Sequence, residues 1–258
     1  MSNLELVKKI RQITGSGMVD VNKALTEANG DETLAIEILR KAGAKTAAKK
    51  ADRVVKEGVM AIAKADDKLA VVELNCETDF VGRNPDFIQA VNDFAKKLLE
   101  LGETEFATWA NNEITNQLIV KIGENLVLGR YAIFTGENIG SYLHSNKKVV
   151  GVALLKGGDQ NLANDVAMHI AAMAPRYLKP EEVEPEVLAK EKEIYAEQLK
   201  AEGKPEAMLE KIMIGKIEKF YTEVCLVKQA FIKDDKKSIE KLLQENNASL
   251  EKFAYYSL

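Results

Sequence analysis

The sequence predicts an α+β protein, on three observations. Short apolar, strand-like runs occur in two separate places, 59–74 and 148–155; each is followed by apolar residues at helical spacing; and residues 3–42 and 181–224 carry helical periodicity alone. The predicted architecture is an N-terminal three-helix module, a core of two related α+β subdomains with antiparallel sheets, and an inserted antiparallel helical hairpin of coiled-coil type.

The first module spans 1–45. Leu6, Val7 and Ile10, then Met18, Val21 and Leu25, then Leu34, Ile38 and Leu39 each recur at three or four residue spacing. Thr14-Gly15-Ser16-Gly17 breaks the first helix from the second, Asn29-Gly30 ends the second, Asp31 caps the third, and Gly43 stands where a helix terminator belongs. A basic helical linker is predicted over 46–57, since residues 40–57 hold seven basic and two acidic side chains. Within it Gly43-Ala44-Lys45-Thr46 is half a phosphate loop, lacking the earlier glycine and a leading strand, and is set aside.

The core follows as 58–140 and then 141–180 with 225–258. Val59 to Ala63 and Leu69 to Leu74 read as a hairpin around Lys64 to Lys68, and Phe87, Val91, Phe94 and Leu98 then share one helical face. Leu126 to Phe134 and residues 148–155 are strand-like, and Leu162, Val166 and Ile170 are helical again. The insertion at 181–224 has Val187, Leu188, Ile194, Tyr195 and Leu199 on one helix and Leu209, Met213, Ile217, Phe220 and Val224 on another, joined at Gly203-Lys204-Pro205. The chain returns to the core through Ala230 to Ile232, a helix near Ile239 to Leu243, and a strand at Phe253 to Tyr256.

Composition narrows the function. With 258 residues, 46% apolar and 29% charged, the chain can bury a full core, and a net charge of -4 gives no general attraction to nucleic acid or anionic membrane. No run is long and apolar enough to span a membrane, and MSNLELVKKI has none of the parts of a secretory signal, so a cytoplasmic protein is expected. Cys76 and Cys225 have no metal or redox spacing and read as small buried hydrophobes. His144 and His169 have no acidic partner at ligand spacing, and no nucleophile, zinc or complete phosphate-loop motif occurs. The expectation is therefore no catalytic residue, no metal, no cofactor and no small-molecule substrate, with a protein as partner.

One segment stands out: Glu73-Leu74-Asn75-Cys76-Glu77-Thr78-Asp79-Phe80-Val81-Gly82-Arg83-Asn84, where a strand gives way to polar residues and a helix follows. On its own pattern Asp79 reads as a turn or cap residue and Phe80 as core.

Four stretches in order resemble the elongation factor Ts family. They are Thr14-Gly15-Ser16-Gly17-Met18 with Lys23-Ala24-Leu25 and Asn29-Gly30-Asp31; Cys76 to Val81; Lys121-Ile122-Gly123-Glu124-Asn125; and His169-Ile170-Ala171-Ala172 with Pro175. The resemblance implies a nucleotide exchange factor for the GTPase elongation factor Tu, with a first module like a ubiquitin-associated domain. It implies that Met18 and Val19 dock on the partner, and that Thr78, Asp79, Phe80 and Val81 displace the partner's magnesium, Phe80 being the wedge. It further implies that Ile122 and Gly123 approach the partner's phosphate loop and that His144 touches another of its domains.

Against the family's usual residues stand Val21 and Asn22, Gly82, Gly129 before Arg130, and Ala230, none of them in the wedge. Longer members continue beyond the last core strand into a further helical module that contacts the partner's nucleotide domain, whereas this sequence stops at Leu258, which puts that contact in doubt. The helical hairpin is a candidate surface for a homodimer. The competing expectation is a non-catalytic ubiquitin-like or RNA adaptor using the basic stretch, which would bind RNA with a steep salt dependence.

Overall fold

The computed structural model describes residues 3–202 and 206–258, an α+β chain that divides into two compact units, Met1–Thr135 with Leu258, and Gly136–Ser257. The predicted joint at Gly203-Lys204-Pro205 lies outside the described residues.

The first unit begins with α1 (Asn3–Thr14), α2 (Met18–Glu27) and α3 (Glu32–Lys50). Val7, Ile10, Val21, Ala24, Leu25, Ala28, Ala35 and Leu39 form their common core. The Asp31 carboxylate caps α3 by accepting from the Leu34 N–H at 2.9 Å. Met18 and Leu34, counted among the core positions in the sequence, face solvent at 49% and 44% exposure. The reason is that both stand in the first turn of their helices, ahead of the stripe that packs.

Gly43 does not end α3. The buried stripe of that helix runs Ala35, Leu39, Gly43, Ala47, all small or aliphatic and four apart, so the helix continues to Lys50. A Cβ at Gly43 would stand 2.7 Å from Val120 Cγ2 and 3.4 Å from the Asn116 carbonyl oxygen, so this glycine serves close packing. The 46–57 stretch is accordingly no separate helix. Its first five residues complete α3, turns and coil follow from Ala51, and a strand starts at Glu57.

Strands β1 (Glu57–Ala65) and β2 (Lys68–Cys76) pair antiparallel around the two-residue turn Asp66-Asp67. Next come α4 (Asp79–Gly82), α5 (Pro85–Glu113), a π-helical turn at Ile114–Leu118, α6 (Ile119–Ile122) and β3 (Leu126–Thr135), which pairs with β2. A bulge sets Gly129 and Arg130 opposite Glu73, whose carboxylate receives Arg130 Nε and Nη2, each at 2.6 Å. Gly129 leaves room for it, since a Cβ there would lie 2.6 Å from Glu73 Oε1. Phe87, Val91, Phe94 and Leu98 are all buried against the sheet, as their spacing predicts. Gly102, at φ 72°, breaks α5 in two, and Phe106 and Trp109 from the second half close on Phe94.

The second unit repeats the order of hairpin, helix and returning strand. β4 (Asn138–Leu143) and β5 (Val149–Lys156) pair antiparallel, α7 (Gln160–Met173) follows, and β8 (Ser249–Ser257) returns beside β5. Between α7 and β8 lie α8 (Pro185–Ala201), α9 (Glu206–Val224), the ribbon β6 (Ala230–Phe231) with β7 (Asp234–Ser238), and α10 (Ile239–Glu245). In α8 and α9, Leu199, Ile217, Phe220 and Val224 are buried. Lys216 Nζ lies 5.2 Å from the Tyr195 ring centre and 3.0 Å from Gln198 Oε1. Ile194 departs from the predicted stripe at 39% exposure, because Tyr195 and Leu199, one position further round α8, take the inward direction.

Candidate functional site

The turn after β2 is built from its backbone outward. β2 ends at Cys76, whose thiol donates to the Thr78 carbonyl oxygen at 3.2 Å. Thr78 then caps α4, its hydroxyl oxygen accepting from the Val81 N–H at 3.4 Å. Asp79 opens the helix, where a carboxylate suits the positive end of the backbone dipoles, and reaches Arg83 Nη2 at 3.0 Å. Val81 faces the core.

Phe80 does not join the core. It is 81% exposed, the most exposed large apolar side chain among the described residues. The ordinary expectation of a core phenylalanine fails because a one-turn helix with Val81 inward must turn Phe80 outward.

Ile122 and Gly123 sit on the segment before β3. Gly123 adopts φ 87° as the left-handed residue after α6, its N–H reaching the Ile119 carbonyl oxygen at 3.0 Å. Nothing lies within 4 Å of where a Cβ would stand, so the front of this turn is open as well as left-handed. Its carbonyl oxygen accepts from Lys50 Nζ.

The Thr78–Val81 and Ile122–Gly123 segments are joined by a residue to which the sequence reading assigned no role. Glu124 Oε2 accepts from the backbone N–H groups of Glu77 and Thr78, each at 3.0 Å, and Oε1 accepts from the Thr78 hydroxyl at 2.6 Å. In return Glu77 Oε1 accepts from the Asn125 N–H at 2.6 Å. That bond holds the Glu77 carboxyl below the usual carboxylate range, helped by Arg53 and Lys50 and opposed by burial. Asn125, 3% exposed, donates its side-chain amide to the carbonyl oxygens of Ala51 and Arg53 at 3.4 and 2.8 Å. The only sequence signal for Glu124 was its place beside the Ile122-Gly123 pair.

Met18 and Val19 open α2 in the same unit, 49% and 66% exposed. His144 belongs to the second unit, exposed on the turn between β4 and β5, its Nδ1 accepting from the Asn146 N–H at 3.4 Å. His169, by contrast, is fully buried in α7. Its Nδ1 accepts from the Ile232 N–H at 3.3 Å, so Nε2 carries the proton given to Gln229 Oε1 at 3.0 Å, and burial lowers its pKa. Cys225 is buried too, its thiol pushed up to about 11 by desolvation. Among the described residues no group of three or more His, Cys, Asp and Glu could hold a metal ion, and no helix is long and apolar enough to cross a membrane. What the site offers is an exposed aromatic ring and an acidic neighbour on a braced turn, a surface for binding.

The comparisons with known proteins agree with the motifs. A model described as "Elongation factor TS" matches residues 77–258. An elongation factor Ts of Hydrogenobaculum sp. is 43% identical over 98% of this chain and 97% of its own length. That of Deinococcus radiodurans is 41% identical over 99% of both, and that of Psychromonas ingrahamii 45% identical over 96% of this chain and 87% of its own. With the braced Asp79-Phe80 turn standing inside the matched region, the chain belongs to the elongation factor Ts family of translation elongation factors.

Proposed function

We propose that this protein is a nucleotide exchange factor that acts by binding, without catalysing a reaction, on the GTPase elongation factor Tu. It opens the partner's magnesium and phosphate site so that GDP leaves and GTP enters. The observation that carries this is Phe80, an aromatic ring 81% exposed on a turn that the fold braces with a buried Val81 and the Glu124 carboxylate. An exposed large apolar group on a fixed backbone is an anchor awaiting a pocket.

In this reading Asp79 and Phe80, framed by Thr78 and Val81, press on the elements beside the partner's Mg²⁺. That ion demands near-ideal octahedral geometry and tolerates little displacement, so a small shift weakens the nucleotide. Ile122 and Gly123 approach the phosphate loop, where the open space in front of Gly123 admits another backbone. Residues 1–45 are read as a ubiquitin-associated-like module docking through Met18 and Val19, with 58–140 and 141–180 plus 225–258 as the core subdomains. His144 touches a further domain of the partner. The helix pair α8 and α9 is read as a coiled-coil arm and a candidate homodimer surface, and the protein as cytoplasmic.

Exchange needs no bond-making, because a factor that weakens nucleotide binding is itself weakened to the same degree when nucleotide rebinds. The test follows release of a fluorescent GDP from purified elongation factor Tu at fixed magnesium. Acceleration by this protein supports the reading; an unchanged release rate at micromolar protein sinks it.

A further inference from the structure

The exposed ring of Phe80 stands on a single helical turn, and four residues of helix do not hold themselves in place. Phe80 adds nothing to its own anchoring, and Asp79 pairs within the same turn. What fixes the turn comes from elsewhere: Val81 in the core, the Cys76 thiol on the Thr78 carbonyl, and the Glu124 carboxylate.

We infer that Glu124 is the positioning residue of this turn: by taking two adjacent backbone N–H groups and the Thr78 hydroxyl, it sets where Phe80 stands relative to Ile122 and Gly123. The chemistry is specific to a carboxylate. Oε2 serves Glu77 and Thr78 while Oε1 serves the hydroxyl, all three bonds being made to a charged acceptor. A glutamine keeps one acceptor oxygen for the two N–H groups, but its amide nitrogen can only donate toward Thr78, so the hydroxyl proton loses its acceptor and no bond is made to a charge. Glu124 is itself fixed, since it follows the left-handed Gly123, and Asn125 returns a backbone bond to Glu77. The bond from Thr78 to Glu124, 46 residues further on, thereby holds the two expected contact segments at one spacing through one side chain. For its effect on exchange the inference rests on the function proposed above; the hold on the turn does not.

The test uses the full chain with Glu124→Ala and Glu124→Gln. In the free proteins, amide hydrogen exchange is read at Glu77 and Thr78, with Val72 and Leu74 in β2 as internal controls. Loss of bonds to a charged acceptor is expected to speed exchange at the two amides about tenfold or more, with the glutamine variant between, while the β2 amides keep their protection. With elongation factor Tu, GDP release at saturating protein is expected to fall about tenfold while the half-saturating concentration moves less than about threefold. Unchanged protection at Glu77 and Thr78 overturns the inference, as does a matching loss of protection across β2, which would make Glu124 a general structural residue. A loosened turn with undiminished release at saturation also overturns it. If the wild type fails to accelerate release, the exchange reading falls, and the amide rates alone decide whether Glu124 fixes the turn.

Discussion

Thr78 Oγ1 and Glu124 Oε1 stand 2.6 Å apart, and the same Thr78 oxygen caps α4. Thr78→Val keeps the shape and removes both interactions. Urea unfolding is expected to show a loss of about 1–2 kcal/mol, the range for a lost helix cap, as a lower midpoint with an unchanged slope. An unshifted midpoint would mean that solvent replaces both bonds at no cost.

Phe80→Ala separates folding from binding. The ring is 81% exposed, so its removal is expected to change stability by less than about 0.5 kcal/mol. In the GDP-release assay the same change is expected to cost about 2 kcal/mol or more, roughly thirtyfold, as for an interface anchor. A variant that loses thermal stability in step with activity would contradict the exposure of the ring.

Two glycine substitutions should move stability in opposite directions. A Cβ at Gly82 would stand 3.7 Å from the Gly58 carbonyl oxygen, an ordinary contact, and φ there is not positive. Gly82→Ala is expected to stabilise by about 0.4–1 kcal/mol through the unfolded chain. At Gly151 a Cβ would fall 2.1 Å from the Ala167 carbonyl oxygen, so α7 would have to lift from the sheet. Gly151→Ala is expected to cost about 1–3 kcal/mol or more, as an overpacked core does. Differential scanning calorimetry of the two variants reads both signs.

His169 links the second unit to pH. Burial holds its folded pKa below the ordinary value of about 6.5, so the unfolded chain takes up the proton first. The stability associated with the neutral ring is complete above about pH 6.5, falls as pH drops toward the folded pKa, and is constant below it. Protonation would also cost the bond from the Ile232 N–H, since Nδ1 could no longer accept. Ring ¹⁵N resonances should show the Nε2–H tautomer at neutral pH and a midpoint below 6.5; a midpoint at or above about 6.5 would contradict the buried neutral ring.

The parts legible in the sequence were those whose cause is local. The stripe Phe87, Val91, Phe94, Leu98 and the hairpin around Asp66-Asp67 follow from spacing and turn residues. Strand β4 does not stand out as a strand in the sequence, because its short run is interrupted by Gly140, where a Cβ would fall 1.9 Å from the Ala163 carbonyl oxygen. Gly43 misled for the same reason: it answers to a neighbour, Val120, far along the chain. At the site, Asp79 and Phe80 carried a recognisable motif, but nothing local says that Phe80 points outward. Glu124 was least legible, since its partners lie 46 and 47 residues away and no periodicity connects them.

The break in α5 at Gly102 also fixes an optical property. It brings Trp109, the sole tryptophan in the sequence, to 4.8 Å from the Phe94 ring, with Phe106 at 5.9 Å and Tyr131 packed in turn on Phe106. Tryptophan emission therefore senses the melting of the first unit alone, whereas far-ultraviolet dichroism sums the helices of both. Superimposed curves from the two signals would show one cooperative transition through the whole chain, and separated curves would time the units individually.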